Sequence, residues 1–303
     1  MSTRSAIGTR LDPWLTDLKK YFRENPRQKQ LFIIALPATV LTVFFLLPLV
    51  FMAGVSFFEE MPPAPLTLEH YMRLITDEVY MTIIIQTGVI TAKTTVLTVI
   101  VGYALAYSMV RFSRRTTTIL LLVILPFWTN YIIRMYAWVN ILQSGGVLDT
   151  FLQLIGLINE PMGILYSQEA VLIGFVYVYL PLAVLPFYAS LNNMNEKLID
   201  ASMDLGAGPV KTFFKVTLPM TKNGIMVGVI LVAIPVFGAF ITPRLLGGVG
   251  NQMIGMTIEN QFVQTFNWPF GAALSMLVAA IVVIMLGAGV AAGGNLFQLG
   301  GEE

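Results

Sequence analysis

The chain has 303 residues and a net charge of +1, with 56% of its residues hydrophobic and only 12% charged. Together with a mean hydropathy of +0.76, that balance excludes an ordinary soluble domain and identifies an integral membrane protein. A lone histidine, His70, and the absence of cysteine remove the usual metal and thiol chemistries and leave the redox compartment open.

In chain order, residues 1–30 come first, polar and basic, with Arg4, Arg10, Lys19, Lys20, Arg23, Arg27 and Lys29. Leu11, Leu15, Leu18 and Phe22 fall at helical spacing with Trp14 beside them, which suits a short helix lying on a membrane surface; a basic tail is the alternative. The basic arm is too long for a secretory leader, and no small-residue cleavage site follows it. Six apolar runs then approach or exceed the roughly 20 residues needed to cross about 30 Å of hydrocarbon: Leu31–Phe57, Met81–Val110, Ile119–Leu142, Ala170–Leu191, Gly224–Thr242 and Gly271–Gly289. Backbone groups left unsatisfied in lipid are costly, so these runs are expected to be helices, and no series of short alternating segments points to a barrel. The organisation expected is a basic segment at 1–30, a six-helix transmembrane domain at 31–292 with a large loop at 192–223, and a short tail at 293–303.

The basic residues orient these spans. One side collects the N-terminal cations, then Arg111, Arg114 and Arg115, then Lys197, Lys211, Lys215 and Lys222, whereas the opposite loops hold only Arg73 and Arg244. Both termini and the 192–223 loop are therefore expected in the cytoplasm. The outer loops carry Glu59, Glu60, Glu69, Asp77, Glu78, Asp149, Glu160 and Glu169. Two of them, Leu66–Tyr80 and Val147–Ile158, mix apolar and polar residues at helix-like intervals and are read as short helices along the outer surface or at the mouth of a pathway, with plain connectors as the alternative.

Within the spans, Lys93 and Arg134 are the informative charges, because a cation at that depth costs at least about 2.5 kcal/mol unless it snorkels or faces a wet interior. Arg134 suits a water-lined path or a partner interface; Lys93 could equally be supported by Thr91, Thr94 and Thr95. No carboxylate lies in any of the six runs, so neither cation is expected to have an ion-pair partner in the membrane core. Pro126, ahead of Phe127, Trp128, Thr129 and Asn130, is expected to break or kink the third span and free carbonyls there, and Pro181 with Pro186 and Pro235 with Pro243 to do the same in the fourth and fifth. Gly247, Gly248 and Gly250 lack a following Lys-Ser or Lys-Thr and read as a turn rather than a phosphate loop.

The polar loop between the fourth and fifth runs has its own design. From Glu196 to Leu205, apolar Leu198, Ile199, Ala201, Met203 and Leu205 alternate with acidic positions, a short amphipathic helix whose small Ala201 and Ser202 permit close approach of another surface. Gly206 is placed to end it with a left-handed cap. After Gly208, Pro209 suits the first position of a second helix that carries Phe213, Phe214 and Val216 until Pro219 stops it. A helix, a glycine hinge and a second helix make a lever.

This stretch resembles the signature loop of permease subunits of binding-protein-dependent ABC importers, in which Glu-Ala-Ala is followed by a glycine and a Leu-Pro ending. The corresponding residues are Asp200-Ala201-Ser202, Gly206-Ala207 and Val216-Thr217-Leu218-Pro219; Asp for Glu and Ser for the second Ala keep charge and small size. Leu125-Pro126-Phe127-Trp128-Thr129-Asn130, Ile133-Arg134-Met135-Tyr136-Ala137-Trp138, Leu245-Leu246-Gly247-Gly248 and Asn267-Trp268-Pro269-Phe270-Gly271 look like the first permease of spermidine/putrescine-type importers. The resemblance implies a type I ABC importer permease fold, all-α, in a bacterial inner membrane, with the helix between spans 4 and 5 as a cytoplasmic coupling helix. Its implied partners are a second permease, two ATPase subunits that bind ATP and magnesium, a soluble substrate-binding protein and lipid, with no nucleic acid. The chain itself shows no Walker motif, so it is expected to be a non-catalytic subunit without a cofactor. Asp200, Ala201, Ser202, Asp204, Leu205, Gly206 and Ala207 become the coupling residues; Lys93, Trp128, Asn130, Arg134, Tyr136, Trp138, Tyr177 and Arg244 become candidates for the translocation path.

On the solute, two readings stand. Polyamine-type relatives usually offer an acid just before Leu-Leu-Gly-Gly, where this chain has Pro243-Arg244; with Lys93 and Arg134, that places three cations and no carboxylate in or beside the spans. The resemblance therefore points to a polyamine while the local charge points to an anionic or zwitterionic solute, although aromatic faces such as Trp128, Tyr136, Trp138, Tyr177 and Tyr179 would serve an ammonium group. An ion-coupled secondary carrier or a channel fits less well, because the spans hold no Asp or Glu to carry a proton and the two halves show no repeat. A membrane enzyme lacks any nucleophile with a base.

Overall fold

The computed structural model describes residues 34, 35 and 37–293, so the basic segment expected at 1–30 and residues 294–303 of the tail lie outside the described residues. The chain divides into two units at the Val55/Ser56 junction. In the first, helix α1 (Pro37–Val55) is apolar and almost wholly exposed. Its turn at Thr42–Leu46 is widened, with the Leu47 N–H bonded to Thr42 O. The wide turn lies immediately ahead of Leu47-Pro48, where the proline has no N–H to continue the ladder.

The second unit is helical, with one isolated antiparallel bridge between Phe58 and Leu66. In order come α2 (Glu69–Thr76), α3 (Glu78–Phe112), α4 (Thr116–Ile124) with a tight turn at Leu125–Trp128, α5 (Tyr131–Leu142), α6 (Val147–Leu154), α7 (Gln168–Asn192), α8 (Lys197–Asp204), α9 (Pro209–Met220), α10 (Lys222–Phe237), α11 (Ile241–Leu246), α12 (Ile254–Val263) and α13 (Trp268–Gly293). Among the described residues four helices, α1, α3, α7 and α13, are long and apolar enough to cross a membrane. Two bent pairs would bring the number to six: Thr116–Trp128 with Tyr131–Leu154, bent by 98°, and Pro209–Met220 with Lys222–Phe237, bent by 66°.

The core is the packing of α3, α7 and α10. Ile90, Tyr103, Ala106 and Met109 of α3 meet Phe175, Ala183 and Phe187 of α7 and Val232 and Val236 of α10. Small residues let the backbones close up, as is usual where helices associate without a hydrophobic drive from lipid. A Cβ on Gly224 would lie 2.4 Å from the Ser190 Cβ, and one on Gly228 would lie 2.3 Å from the Phe187 ring. A second apolar cluster joins Leu74, Ile83, Phe237, Ile254, Phe270 and Leu274. Here the Thr87 hydroxyl accepts the Ile254 N–H at 2.9 Å, starting α12 against α3.

Several local expectations change. Pro181 and Pro186 do not break the fourth span: α7 runs through both as one 25-residue helix, because packing on α3 and α10 holds the turns that each missing N–H weakens. Likewise α10 passes through Pro235 and ends at Phe237; the interruption lies at Gly238–Phe240, and Pro243 sits inside α11. The fifth span is thus interrupted between Pro235 and Pro243, as expected of that pair. Pro219 closes α9 to within one residue: the helix ends at Met220, after a widened turn at Phe213–Thr217 in which the Leu218 N–H bonds to Phe213 O. This repeats the arrangement at Leu47-Pro48. Pro126 does break its span, as expected. Of the outer stretch Leu66–Tyr80 only Glu69–Thr76 forms a separate helix, since Glu78 already begins α3 behind the Asp77 cap, whose side chain accepts the Val79 N–H. The other outer stretch forms α6, where buried Asp149 accepts the N–H groups of Gly145 and Met162 and so ties its loop together. A third short helix, α12, lies outside the six apolar runs.

Candidate functional site

The helix, hinge and helix of the polar loop form as the sequence implies. Asn195 Oδ1 accepts the Lys197 N–H at 3.1 Å and starts α8. At the other end Gly206, at φ +84°, places its N–H on Met203 O at 2.9 Å while the Ala207 N–H reaches Ser202 O at 3.1 Å. This paired closure needs a left-handed residue that glycine supplies without a Cβ clash. Gly208 and Pro209 then open α9. The two helices are held together by Ser202 Oγ and Thr212 Oγ1, 3.1 Å apart, with Thr212 buried.

Only Ile199 of α8 is buried, leaving Leu198, Met203 and Leu205 exposed beside exposed Ala201, Asp200 and Asp204, with Ala207 half-buried. The result is an apolar tip between carboxylates, exposed at the surface with the carbonyls at its end capped. Its root is firm. Phe213 of α9 packs edge-on against Tyr103 and Tyr107 of α3, with centroids 6.1 and 5.3 Å away. The Tyr103 hydroxyl is 2.7 Å from Thr221 Oγ1, at the bend between α9 and α10. Arg111 at the end of α3 lies 3.8 Å from Glu196. A push on α8 therefore reaches α3 and α10 through packed aromatic rings.

The candidate path residues separate into four places. At the α4/α5 break, Thr129 Oγ1 donates to Pro126 O at 2.7 Å and Asn130 Oδ1 caps α5 by accepting the Ile132 N–H at 2.8 Å, so one freed carbonyl and the Asn130 oxygen are engaged locally. Trp128 is 87% exposed, and Ile133 and Tyr136 are exposed with it. One turn into α5, the Arg134 guanidinium lies over the Phe127 and Tyr131 rings, 5.7 and 5.8 Å from their centroids, and its buried Nε and Nη1 find no hydrogen-bond partner among the described residues. The Tyr131 hydroxyl is bonded to Thr242 Oγ1 and so ties α5 to α11. Separately, Trp138 and Tyr177 stack edge-on at 5.4 Å.

Lys93 is engaged by a residue other than those expected. Its Nζ donates to Gln168 Oε1 at 2.8 Å, at the first residue of α7, and not to the neighbouring threonines. At 1.5 Å per residue the 35-residue α3 is about 52 Å long, well over the hydrocarbon thickness. The stretch from Lys93 to Phe112 alone spans about 30 Å, comparable with the hydrocarbon thickness.

Arg244 also departs from expectation. It forms an ion pair with Glu259 of α12, so the cluster of three cations with no carboxylate beside the spans does not stand. Glu259, Gln168 and the Tyr103–Thr221 pair are the functional-looking contacts that sequence reasoning missed. Ile254, Ile258 and Phe262 at helical spacing around Glu259 were the available signal. No group of three or more His, Cys, Asp or Glu side chains able to hold a metal occurs among the described residues.

Comparison with known proteins gives a consistent result. A family model described as "binding-protein-dependent transport system inner membrane component" matches residues 98–293. The spermidine/putrescine transport system permease protein PotB of Escherichia coli K12 is 35% identical over 251 residues, which cover 81% of this chain and 91% of that protein. PotB of Haemophilus influenzae is 33% identical over 258 residues, covering 84% and 90%. The inner membrane ABC transporter permease protein YdcU of E. coli K12 is 31% identical over 219 residues, covering 67% and 69%. Among solved structures, a chain of a bacterial ABC transporter that imports the acidic polysaccharide alginate superimposes with TM-score 0.74 at 15% identity, covering 92% of this chain and all of that one. A chain of the inward-facing MetNI methionine ABC transporter gives TM-score 0.51 at 17% identity, covering 74% of this chain and all of that one. At these identities the two structures speak for the fold.

Proposed function

The chain belongs to the binding-protein-dependent transport system inner membrane component family, and from that premise we propose that it is the first permease of an ATP-driven polyamine importer. The observation that carries this reading is the 35% identity to a spermidine/putrescine permease over 81% of the chain and 91% of that relative. A soluble binding protein delivers spermidine or putrescine to the outer face. This chain and a second permease form the pathway, and two ATPase subunits bind ATP and magnesium and receive α8. This chain holds no nucleotide and catalyses no reaction. Six spans follow if each bent pair crosses once, with both termini and α8 in the cytoplasm.

The exposed tip at Leu198, Met203 and Leu205, together with Asp200, Ala201, Ser202, Asp204, Gly206 and Ala207, is the part that docks on an ATPase. Phe213 and Thr221 support its role as a lever. Trp128, Tyr136, Trp138 and Tyr177 offer aromatic faces on which ammonium groups stack, and the unpartnered guanidinium atoms of Arg134 belong at a wet or subunit-covered surface. The reading for an anionic or zwitterionic solute loses support at Arg244, whose charge is balanced by Glu259, and at Lys93, whose ammonium is engaged by Gln168. The test is a binding screen of the cognate soluble binding protein against polyamines, amino acids, dicarboxylates and phosphonates. Tight binding of spermidine or putrescine is expected; selective binding of an anion overturns the polyamine assignment while leaving the importer class intact.

A further inference from the structure

The ion pair between Arg244 and Glu259 is unequal. The arginine side chain keeps 40% of its surface exposed and the glutamate only 20%. Glu259 is also the sole carboxylate between Asp204 and Glu302, so no other acid of that segment can take its place. The pair stands towards the end of the molecule where α7 begins, because the Tyr166 N–H, just ahead of α7, donates to Leu246 O at the close of α11. That is the end from which a solute arrives on the importer reading.

An unequally exposed pair has a preferred way to open. The long arginine side chain can swing its charge into water, whereas a mostly buried carboxylate has to keep a cation beside it. An arriving ammonium group can exchange with Arg244, one cation for another, and Glu259 stays neutralised throughout. An arriving anion would have to share Arg244 with Glu259 and bring its own negative charge up to that carboxylate, which is the less favourable arrangement. The pair therefore favours a cation.

We propose that Glu259 is a binding station for ammonium groups of the transported solute, with Arg244 as its resident counter-ion, displaced on entry and restored as the solute moves on. The proposal rests on the polyamine reading and names the acid that reading lacked in this chain. Competition from Arg244 also keeps the station weak enough to release what it binds.

The test uses the complete importer, with its second permease, ATPases and binding protein, reconstituted in proteoliposomes and supplied with labelled spermidine and putrescine. Wild type, Glu259→Gln, Glu259→Asp and Arg244→Gln are compared for uptake and for ATPase stimulation by loaded binding protein. Glu259→Gln is expected to lower uptake at least about tenfold while the complex still assembles and its ATPase is still stimulated, and Glu259→Asp to recover part of the loss. Arg244→Gln is expected to raise uptake at low loading by about two- to fivefold, because the competing cation is gone. The opposite signs of the two single variants are the decisive outcome. If the contact is only a strut between α11 and α12, Arg244→Gln breaks it as Glu259→Gln does and both lower uptake, and the proposal fails; it predicts that Arg244→Gln gains where Glu259→Gln loses. Wild-type uptake matched by Glu259→Gln also overturns it. Wild-type vesicles that take up neither polyamine count against the substrate reading itself.

Discussion

At the scale of single residues, the account turns on contacts of two kinds. Gly206 is set by its own neighbours: a short amphipathic helix, a glycine at its end and a proline three residues later were enough to anticipate the left-handed cap at φ +84°. Replacing it with valine forces a β-branched side chain into that region, which costs on the order of 1–2 kcal/mol or more and redirects α9. Gly206→Val is expected to reach the membrane with its partner permease and to lose most ATPase stimulation by loaded binding protein. Stimulation at the wild-type level would show that the cap has no part in coupling. The Arg244–Glu259 pair is of the other kind. The two residues are fifteen apart on different helices, and Glu259 lies outside the six apolar runs, so nothing local in the sequence brings them together.

At the scale of elements, the spans were legible in the sequence wherever length and apolarity alone decide, and illegible wherever packing overrules a local rule. Proline at 126 breaks its span and proline at 181 or 186 does not, although all three were read alike. Pro181 is buried where α7 passes between α3 and α10, whereas Leu125 and Trp128 beside Pro126 are exposed and their turn has little to hold it straight. The widened turns ahead of Pro48 and Pro219 are a further solution that hydropathy and propensity do not foretell. The close contact of α10 with α7 makes a direct prediction. A leucine at Gly228 would have to displace the Phe187 ring, from which even a Cβ would be 2.3 Å away. Overpacking of this kind costs about 1–3 kcal/mol. Gly228→Leu should lower the thermal midpoint of the detergent-solubilised complex by several degrees, about 2–4 °C per kcal/mol for a chain of this size; an unchanged midpoint would mean that α7 and α10 do not pack face to face there.

At the scale of the whole molecule, the ends of the second unit have different characters. One end gathers Arg111, Glu196, the exposed α8 tip and the Phe213 root. The other gathers Lys93 on Gln168, Gln86 on Gly250 and the Arg244–Glu259 pair. With Lys and Arg concentrated at the first end, the positive-inside tendency underlies the proposal that this end faces the cytoplasm. The chain has no cysteine of its own, so the assignment is testable by single substitutions at exposed positions. Val249→Cys should react with a membrane-impermeant maleimide in intact cells, and Lys222→Cys only after permeabilisation; the reverse pattern would invert the topology and remove α8 from any ATPase.

The central claim is that ATP hydrolysis by partner subunits, transmitted through α8 and α9, drives polyamine through this chain. Its most direct test is uptake by proteoliposomes containing the full importer, with loaded binding protein outside and Mg-ATP enclosed. Spermidine or putrescine is expected to accumulate when hydrolysable ATP is enclosed, to stop when a non-hydrolysable analogue replaces it, and to be indifferent to collapse of proton and sodium gradients. Accumulation that persists without hydrolysable ATP and disappears with the ion gradients would contradict the account.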